Sequence, residues 1–251
     1  MIRFGLIGDG IIAKRHKEAI KAVNGHLVWI IDPIFGIDGN PVMGDDGISR
    51  ASTVKALHYC TVDYVVICSP TYLHRQHVRD VLYNGRKVIC EKPLALPWEP
   101  LIDNDDINIV LQLRYLKNLP KQARTVRAIM VRDDAFFKTW KGNPLLAGGN
   151  IYEFFIHYID LAILLKADFE GAVYPTGNQR REIITKDEVI DILNIDMQEL
   201  YNDMYRDILN GGGIKPKDIF YLTWVLNRNS ELYGYRNSGL SGMINISRDL
   251  L

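Results

Sequence analysis

The sequence predicts an α/β protein in which an N-terminal, doubly wound parallel sheet is followed by a smaller, shortened α+β domain. Three observations carry that prediction. Short apolar strands alternate with helical stretches as far as Leu113, the order that builds a parallel sheet with helices on both faces. A glycine-rich turn joins the first strand to the first helix, as in nucleotide-binding sheets. From Leu119 the pattern changes to an alternating strand and a strongly apolar helix. At 251 residues the chain exceeds one average domain and is short for two full ones. It divides into 1–117, 118–233 and a polar tail, 234–251.

Ile2–Ile7 is the first strand, and it runs directly into Gly8-Asp9-Gly10-Ile11-Ile12-Ala13. This is a G-x-G-x-x-A turn: Gly8 permits the tight exit, Gly10 lets backbone approach a pyrophosphate, and Ala13 is small enough for the helix to pack on the sheet. Phosphates would rest on the helix N-terminus, where the macrodipole favours negative charge. The helix runs from Ile11 to Asn24 and stops at Gly25; His26–Ile31 is the second strand. Asp32 ends it, where a carboxylate holds ribose hydroxyls and repels a 2′-phosphate, so NAD is expected over NADP.

Pro33–Gly47 reads as a loop, and Ser49 as the cap of a short helix reaching His58. Val62–Cys68 is a near-continuous apolar strand, broken by Ser69-Pro70, and Thr71 opens a helix that ends at Asn84-Gly85. Arg86–Cys90 and Ile107–Leu113 are the fourth and fifth strands. Ligands of such a sheet lie outside the carboxyl ends of its strands, which singles out Ser69-Pro70, Glu91-Lys92-Pro93 and Gln112–Tyr115. Thr125–Val131 then forms a strand and Ile151–Leu165 a helix. Tyr174–Thr185 forms one or two strands, and Asp187–Gly211 and Lys217–Tyr233 two helical regions.

Composition narrows the partners. Lys+Arg and Asp+Glu are balanced at 30 each, so no global field holds nucleic acid or an anionic membrane. No apolar run spans a bilayer, strand residues begin at Ile2, and the three cysteines form no C-x-x-C. A cytoplasmic protein with reduced thiols is expected.

Lys92, at a strand exit, can reach the cleft and either transfer a proton or polarise a hydroxyl; its plain alternative is a solvated turn lysine. Glu153, His157 and Asp160 share one face of an otherwise apolar helix, and buried polar groups need partners. Asp160 could simply satisfy a core imidazole. Beside a nicotinamide site, His157 as acid/base is the better reading. His74 and His77 lack a third ligand, so no metal is expected, and Cys90 reads as a small apolar strand residue.

Together these pieces resemble the glucose-fructose oxidoreductase and inositol dehydrogenase (Gfo/Idh/MocA) family. The turn Gly8–His16, the Glu91-Lys92-Pro93 triplet and the histidine helix carry that resemblance. A closer similarity, to the UDP-N-acetylglucosaminuronate 3-dehydrogenases, runs through Asp63–His74, Val88–Leu94, Leu111–Arg114 and Lys138–Pro144. It implies NAD-dependent oxidation of the 3-hydroxyl of a UDP-linked N-acetylated glucuronic acid, in the synthesis of surface polysaccharide sugars. Lys92 and His157 carry over as the catalytic pair. Gly8, Gly10, Ile11, Ile12, Asp32, Ser69, Pro70, His74, Glu91, Lys92, Gln112 and Trp140 fall where the family holds NAD. Lys92, Arg114, Lys138, Trp140, Lys141, Glu153 and His157 fall at the sugar nucleotide. A homo-oligomer is implied, although the second-domain sheet that forms family interfaces is shortened here. Two departures stand out: Glu153 replaces the family's Asp or Asn and Phe155 a small glycine, where a phenyl ring could reshape the pocket, and the chain is shorter than the family in that sheet, in the loop after Asp32 and in the helix before Ile107. A trimmed, non-catalytic NAD or nucleotide-sugar binder, or a dehydrogenase of another sugar, is the rival expectation.

Overall fold

The computed structural model describes residues 1–37, 40–59, 61–232 and 243–251, with side chains in the last helix described to residue 229. The chain forms two compact units: Met1–Ala95, Glu99–Leu111 and Met197–Asp218 in the first, Leu96–Trp98, Gln112–Asp196 and Ile219–Leu251 in the second.

The first unit is a seven-stranded sheet in the order β3-β4-β2-β1-β5-β6-β7. Its strands are β1 (Arg3–Ile7), β2 (His26–Ile31), β3 (Val42–Met43), β4 (Ser49–Ala51), β5 (Tyr64–Ile67), β6 (Lys87–Cys90) and β7 (Ile107–Ile109). Every pairing is parallel except the β3–β4 hairpin at the edge. The apolar runs that announced β1, β5 and β6 are buried on both faces, as a helix-covered parallel sheet requires. Gly5 has a packing reason, since a Cβ there would stand 2.2 Å from the Trp29 ring. Helix α1 (Ala13–Ala22) and helix α2 (Thr71–Tyr83) are the crossovers. After α1 the chain turns through Asn24, whose φ is 53°, and Gly25.

Register fixes what the carboxyl edge presents. Ile7 lies beside Ile31 and Ile67, and Ile67 beside Cys90. The ladder continues one residue further, with Gly8 N–H donating to Ile31 O, Cys68 N–H to Ile7 O and Glu91 N–H to Ile67 O. Gly8, Asp32, Ser69 and Glu91 therefore emerge along one edge. Chain order reverses between β2–β1 and β1–β5, the switch point at which open α/β sheets bind ligands.

Several boundaries differ from expectation. Ser49 begins strand β4, parallel to β2, and the helical turn starts only at Val54; the polar Ser49-Arg50 pair at the sheet edge hides the strand signal. The fifth strand stops at Ile109 and turns into a short 3-10 helix, Gln112–Tyr115.

The second unit is a five-stranded sheet in the order β11-β10-β8-β9-β12, built from β8 (Thr125–Val131), β9 (Asp168–Tyr174), β10 (Arg180–Ile184), β11 (Val189–Asp191) and β12 (Ile244–Ile246). Only β8 and β9 run parallel. Strand β8 alternates buried and half-buried residues, so one face meets helix α5 (Ile156–Leu165). Two single-turn helices, α3 (Asp134–Phe137) and α4 (Pro144–Ala147), precede it. The tail expected over 234–251 supplies β12 on β9; its residues 234–242 lie outside those described.

Helix α6 covers only Met197–Leu209, since Val189–Asp191 is strand. The sequence places this helix in the second domain, whereas it belongs to the first unit. Its apolar stripe (Leu200, Tyr201, Met204, Tyr205, Ile208) is buried, and the ring of His16 on α1 lies 5.0 Å and 5.8 Å from those of Tyr201 and Tyr205. Helix α7 (Phe220–Leu232) closes the second unit's helical set; Tyr233, expected at its end, lies outside the described residues.

Candidate dinucleotide site and the polar helix

The glycine turn has the shape its residues imply. Gly8 has φ +92°, and a Cβ there would lie 2.8 Å from the backbone of Cys68 and Ser69, so only glycine fits without strain. A Cβ on Gly10 would have no heavy atom within 4 Å, which leaves room for a phosphate against the backbone. Ala13 is fully buried and Ile11 is 90% exposed. No side chain caps the start of α1, so no side-chain oxygen competes there with an anion.

Asp32 is held from both sides. Its Oδ2 accepts the Asp9 N–H at 2.6 Å and its Oδ1 accepts the Ile34 N–H at 2.9 Å. Each carboxylate oxygen keeps a further lone pair, so the group is oriented by the turn and still able to accept from a ribose. Asp9, a negative charge inside the phosphate turn, is paired with Lys17 at 2.5 Å. That pairing offsets the repulsion Asp9 would exert on a pyrophosphate; Lys17, one turn into α1, escaped the sequence reading because it matches no motif position.

The other strand exits are braced by buried groups. Ser69 Oγ bonds His77 Nδ1 at 2.9 Å. Burial lowers the His77 pKa to about 4, so that ring is neutral near pH 7. His74 is buried, with Nδ1 2.7 Å from Pro93 O and Nε2 2.7 Å from Ser69 O. Burial pushes its pKa down; a neutral ring has one N–H and donates to one carbonyl at a time. The structure thus uses His74 to tie the Ser69-Pro70 and Lys92-Pro93 turns together, with both its nitrogens facing backbone.

Glu91 is buried too. Its Oε1 accepts from Tyr201 OH at 2.8 Å and lies 3.1 Å from His16 Nε2, while its Oε2 accepts the Lys92 N–H at 3.3 Å. Burial acts to raise its pKa, but hydrogen bonds from His16 and Tyr201 outweigh it and hold the group down to about 2. His16 Nδ1 meets Tyr205 OH at 2.7 Å. Lys92 is half-buried at the turn this network anchors.

In the second unit the expected polar residues fall into two ion pairs. Lys141 Nζ bonds Glu153 Oε1 at 2.9 Å, and that ammonium also lies 5.4 Å and 5.5 Å over the Phe136 and Trp140 rings. Arg114 grips Asp160 with two bonds, Nε at 2.8 Å and Nη2 at 2.6 Å. Asp160 therefore answers a guanidinium, and Arg114, expected at an anionic sugar nucleotide, has its fork engaged by a carboxylate. Burial raises the Asp160 pKa against the lowering effect of Arg114.

His157 is half-buried in the first turn of α5, directly after a π-helical turn over Ile151–Phe155, a feature that gathers at functional sites. Glu153 lies in that turn. Gln112, beginning its 3-10 turn, has a buried Oε1 with no hydrogen-bond partner among the described residues. Lys138 is exposed and Trp140 half-buried. Phe155 is 1% exposed, packed 5.5 Å from the Phe169 ring; it fills core over Gly171, where a Cβ would come within 3.2 Å of it. Arg132, beside these groups but in no motif, stands 5.4 Å and 5.5 Å over the Phe136 and Phe154 rings. Among the described residues no cluster of three metal-ligating side chains occurs, and no helix is long and apolar enough to cross a membrane.

Residues 2–107 match the family described as oxidoreductases with an NAD-binding Rossmann fold, GFO/IDH/MocA. That stretch belongs to the GFO/IDH/MocA family. NAD is the cofactor of this family's domain, and the open space at Gly10 with the oriented carboxylate of Asp32 fits it. The inositol 2-dehydrogenase of Rhizobium meliloti is 33% identical over 39% of the chain, a match that spans 30% of the relative's length. The glucose-6-phosphate 3-dehydrogenase of Bacillus subtilis is 22% identical over 92% of the chain and 73% of its own. Among solved structures, the WlbA (WbpB) dehydrogenase from Thermus thermophilus, in complex with NAD and UDP-GlcNAcA, superposes with a TM-score of 0.73. It is 22% identical, covering 90% of this chain and 94% of that one. At such identity the likeness establishes the GFO/IDH/MocA fold and nothing finer.

Proposed function

We propose that the protein is an NAD-dependent dehydrogenase of a UDP-linked N-acetylated sugar, oxidising the 3-hydroxyl, with UDP-N-acetylglucosaminuronic acid as first candidate, for surface-polysaccharide synthesis. The observation that carries the redox part is the Gly8–Gly10 turn with Asp32 oriented by the Asp9 amide. The substrate part is supported by the stretches that resemble UDP-N-acetylglucosaminuronate 3-dehydrogenases, and by the likeness to a dehydrogenase crystallised with UDP-GlcNAcA.

Bound NAD supplies the hydride acceptor. The chain's task is to take the hydroxyl proton as C3 gives up its hydride, and Lys92 and His157 are assigned to it. A half-buried lysine suits this role, either as a base or as a cation that polarises the hydroxyl. Lys141 and Glu153 would meet the sugar as a pair. The lysine offers donors to a carboxylate or phosphate, and Glu153 keeps that ammonium in place. Lys138 and Trp140 lie on the same segment. Arg114 enters this reading through Asp160, as a brace for the helix that bears His157.

The test is a panel of UDP and dTDP sugars incubated with protein and NAD, read by the absorbance of reduced nicotinamide. Turnover with UDP-N-acetylglucosaminuronic acid is expected; silence across the panel, with NAD bound, would leave a binding module.

A further inference from the structure

We propose that Tyr201 and Tyr205 of helix α6 are positioning residues that fix Lys92 through Glu91 and His16. The inference rests on the reading that Lys92 handles the substrate proton, but its geometry lies wholly within the first unit. Tyr201 is 1% and Tyr205 0% exposed, and a buried hydroxyl needs a hydrogen-bond partner. The two hydroxyls reach Glu91 by different routes, one directly and one through His16. Tyr201 OH donates to Glu91 Oε1 at 2.8 Å, and Tyr205 OH meets His16 Nδ1 at 2.7 Å while the far side of that ring, Nε2, stands 3.1 Å from the same carboxylate oxygen.

One Glu91 oxygen is thus fixed by the helix, and the other accepts the backbone N–H of Lys92. On the other side of Lys92, Pro93 O is held by His74. Lys92 therefore sits between two backbone anchors while its side chain stays half-buried at the sheet edge. Tyr201 and Tyr205 are one helical turn apart, the spacing that lets both face one partner. A helix whose tyrosines only filled space would not need one hydroxyl on the Glu91 carboxylate and a second on the imidazole beside it.

The decisive experiment measures Lys92 directly, without any substrate. The 251-residue chain is exposed to trace acetic anhydride, and the acetylation of Lys92 relative to Lys87, an exposed lysine at the start of the preceding strand β6, is read by peptide mass spectrometry for wild type, Tyr201→Phe and Tyr205→Phe. The phenylalanines keep both rings and remove only the hydroxyls. The Lys92-to-Lys87 ratio is expected to change by at least about threefold in Tyr201→Phe and less in Tyr205→Phe, which acts through His16, because freeing one hydrogen-bonded anchor is worth roughly that much. In parallel kcat should fall by about tenfold with KM for the sugar nucleotide nearly constant, the signature of an interaction made in the transition state. Unchanged labelling in both variants overturns the positioning role, whatever their melting temperatures. A changed ratio in a protein that turns over no sugar nucleotide upholds the positioning role and sinks the dehydrogenase assignment instead.

Discussion

Replacing Asp32 by alanine removes two kinds of bond at once, and the structure separates their magnitudes. Within the protein the carboxylate accepts the Asp9 N–H, which is half-buried, and the exposed Ile34 N–H. Water replaces both in part, so the loss of folding stability should be about 1–2 kcal/mol. Toward NAD, the second lone pairs would accept the two adenosine ribose hydroxyls, each such bond to a charged group being worth about 1.5–3 kcal/mol. With water taking up part of that loss, NAD affinity should fall by about 2–4 kcal/mol, roughly thirtyfold to a thousandfold. NADP, which meets the charge of Asp32 at its 2′-phosphate, should bind wild type at least about a hundredfold more weakly than NAD and should lose little or gain in the variant. Calorimetric titration of both cofactors into both proteins measures all four constants. Equal affinities of wild type for NAD and NADP would refute the placement of Asp32 at the ribose, as would an alanine variant that binds NAD as tightly as wild type.

Gly8→Ala should destabilise the fold by on the order of 3 kcal/mol and abolish NAD binding, because the new Cβ meets the backbone of Cys68 and Ser69 at 2.8 Å and the φ of +92° strains any L side chain; urea unfolding reads the first effect and titration the second. His77 has its pKa lowered from 6.5 to about 4 by burial. The folded protein therefore resists a proton that the unfolded chain accepts, and its contribution is present above pH 6.5 and lost as pH falls through about 4. Discounted for partial exposure, that loss should be about 2 kcal/mol. In His77→Gln the decline in melting temperature between those pH values should flatten, and an unchanged slope would assign it to other groups.

What the sequence disclosed and what it hid divide along chain distance. The strand, glycine turn, helix, strand and acid of residues 2–32 are legible because each part is local, and Gly8, Ala13 and Asp32 have the conformation or burial their chemistry demands. The support of Lys92 was not legible, because its partners are far apart in the chain: His16 and Tyr205 are separated by 189 positions and Glu91 and Tyr201 by 110. Glu153, His157 and Asp160 stood out as polar residues on an apolar helix, yet Lys141, the partner of Glu153, and Arg114, the partner of Asp160, come from other segments. The order of the motif could not show that Asp160 answers Arg114. Ser49 misled because a polar residue beside a loop looks like a helix cap, whereas pairing with Trp29 makes it strand.

The central claim is that this chain moves a hydride from carbon 3 of a nucleotide sugar to NAD, and following that hydrogen tests it most directly. UDP-N-acetylglucosaminuronic acid deuterated at C3 is incubated with protein and NAD, and the reduced cofactor is examined by mass spectrometry. The account predicts deuterium in the reduced nicotinamide and a 3-keto sugar beside it, with formation slowed when Lys92 is replaced by methionine. Reduced cofactor without deuterium, or none formed while NAD is demonstrably bound, would contradict it.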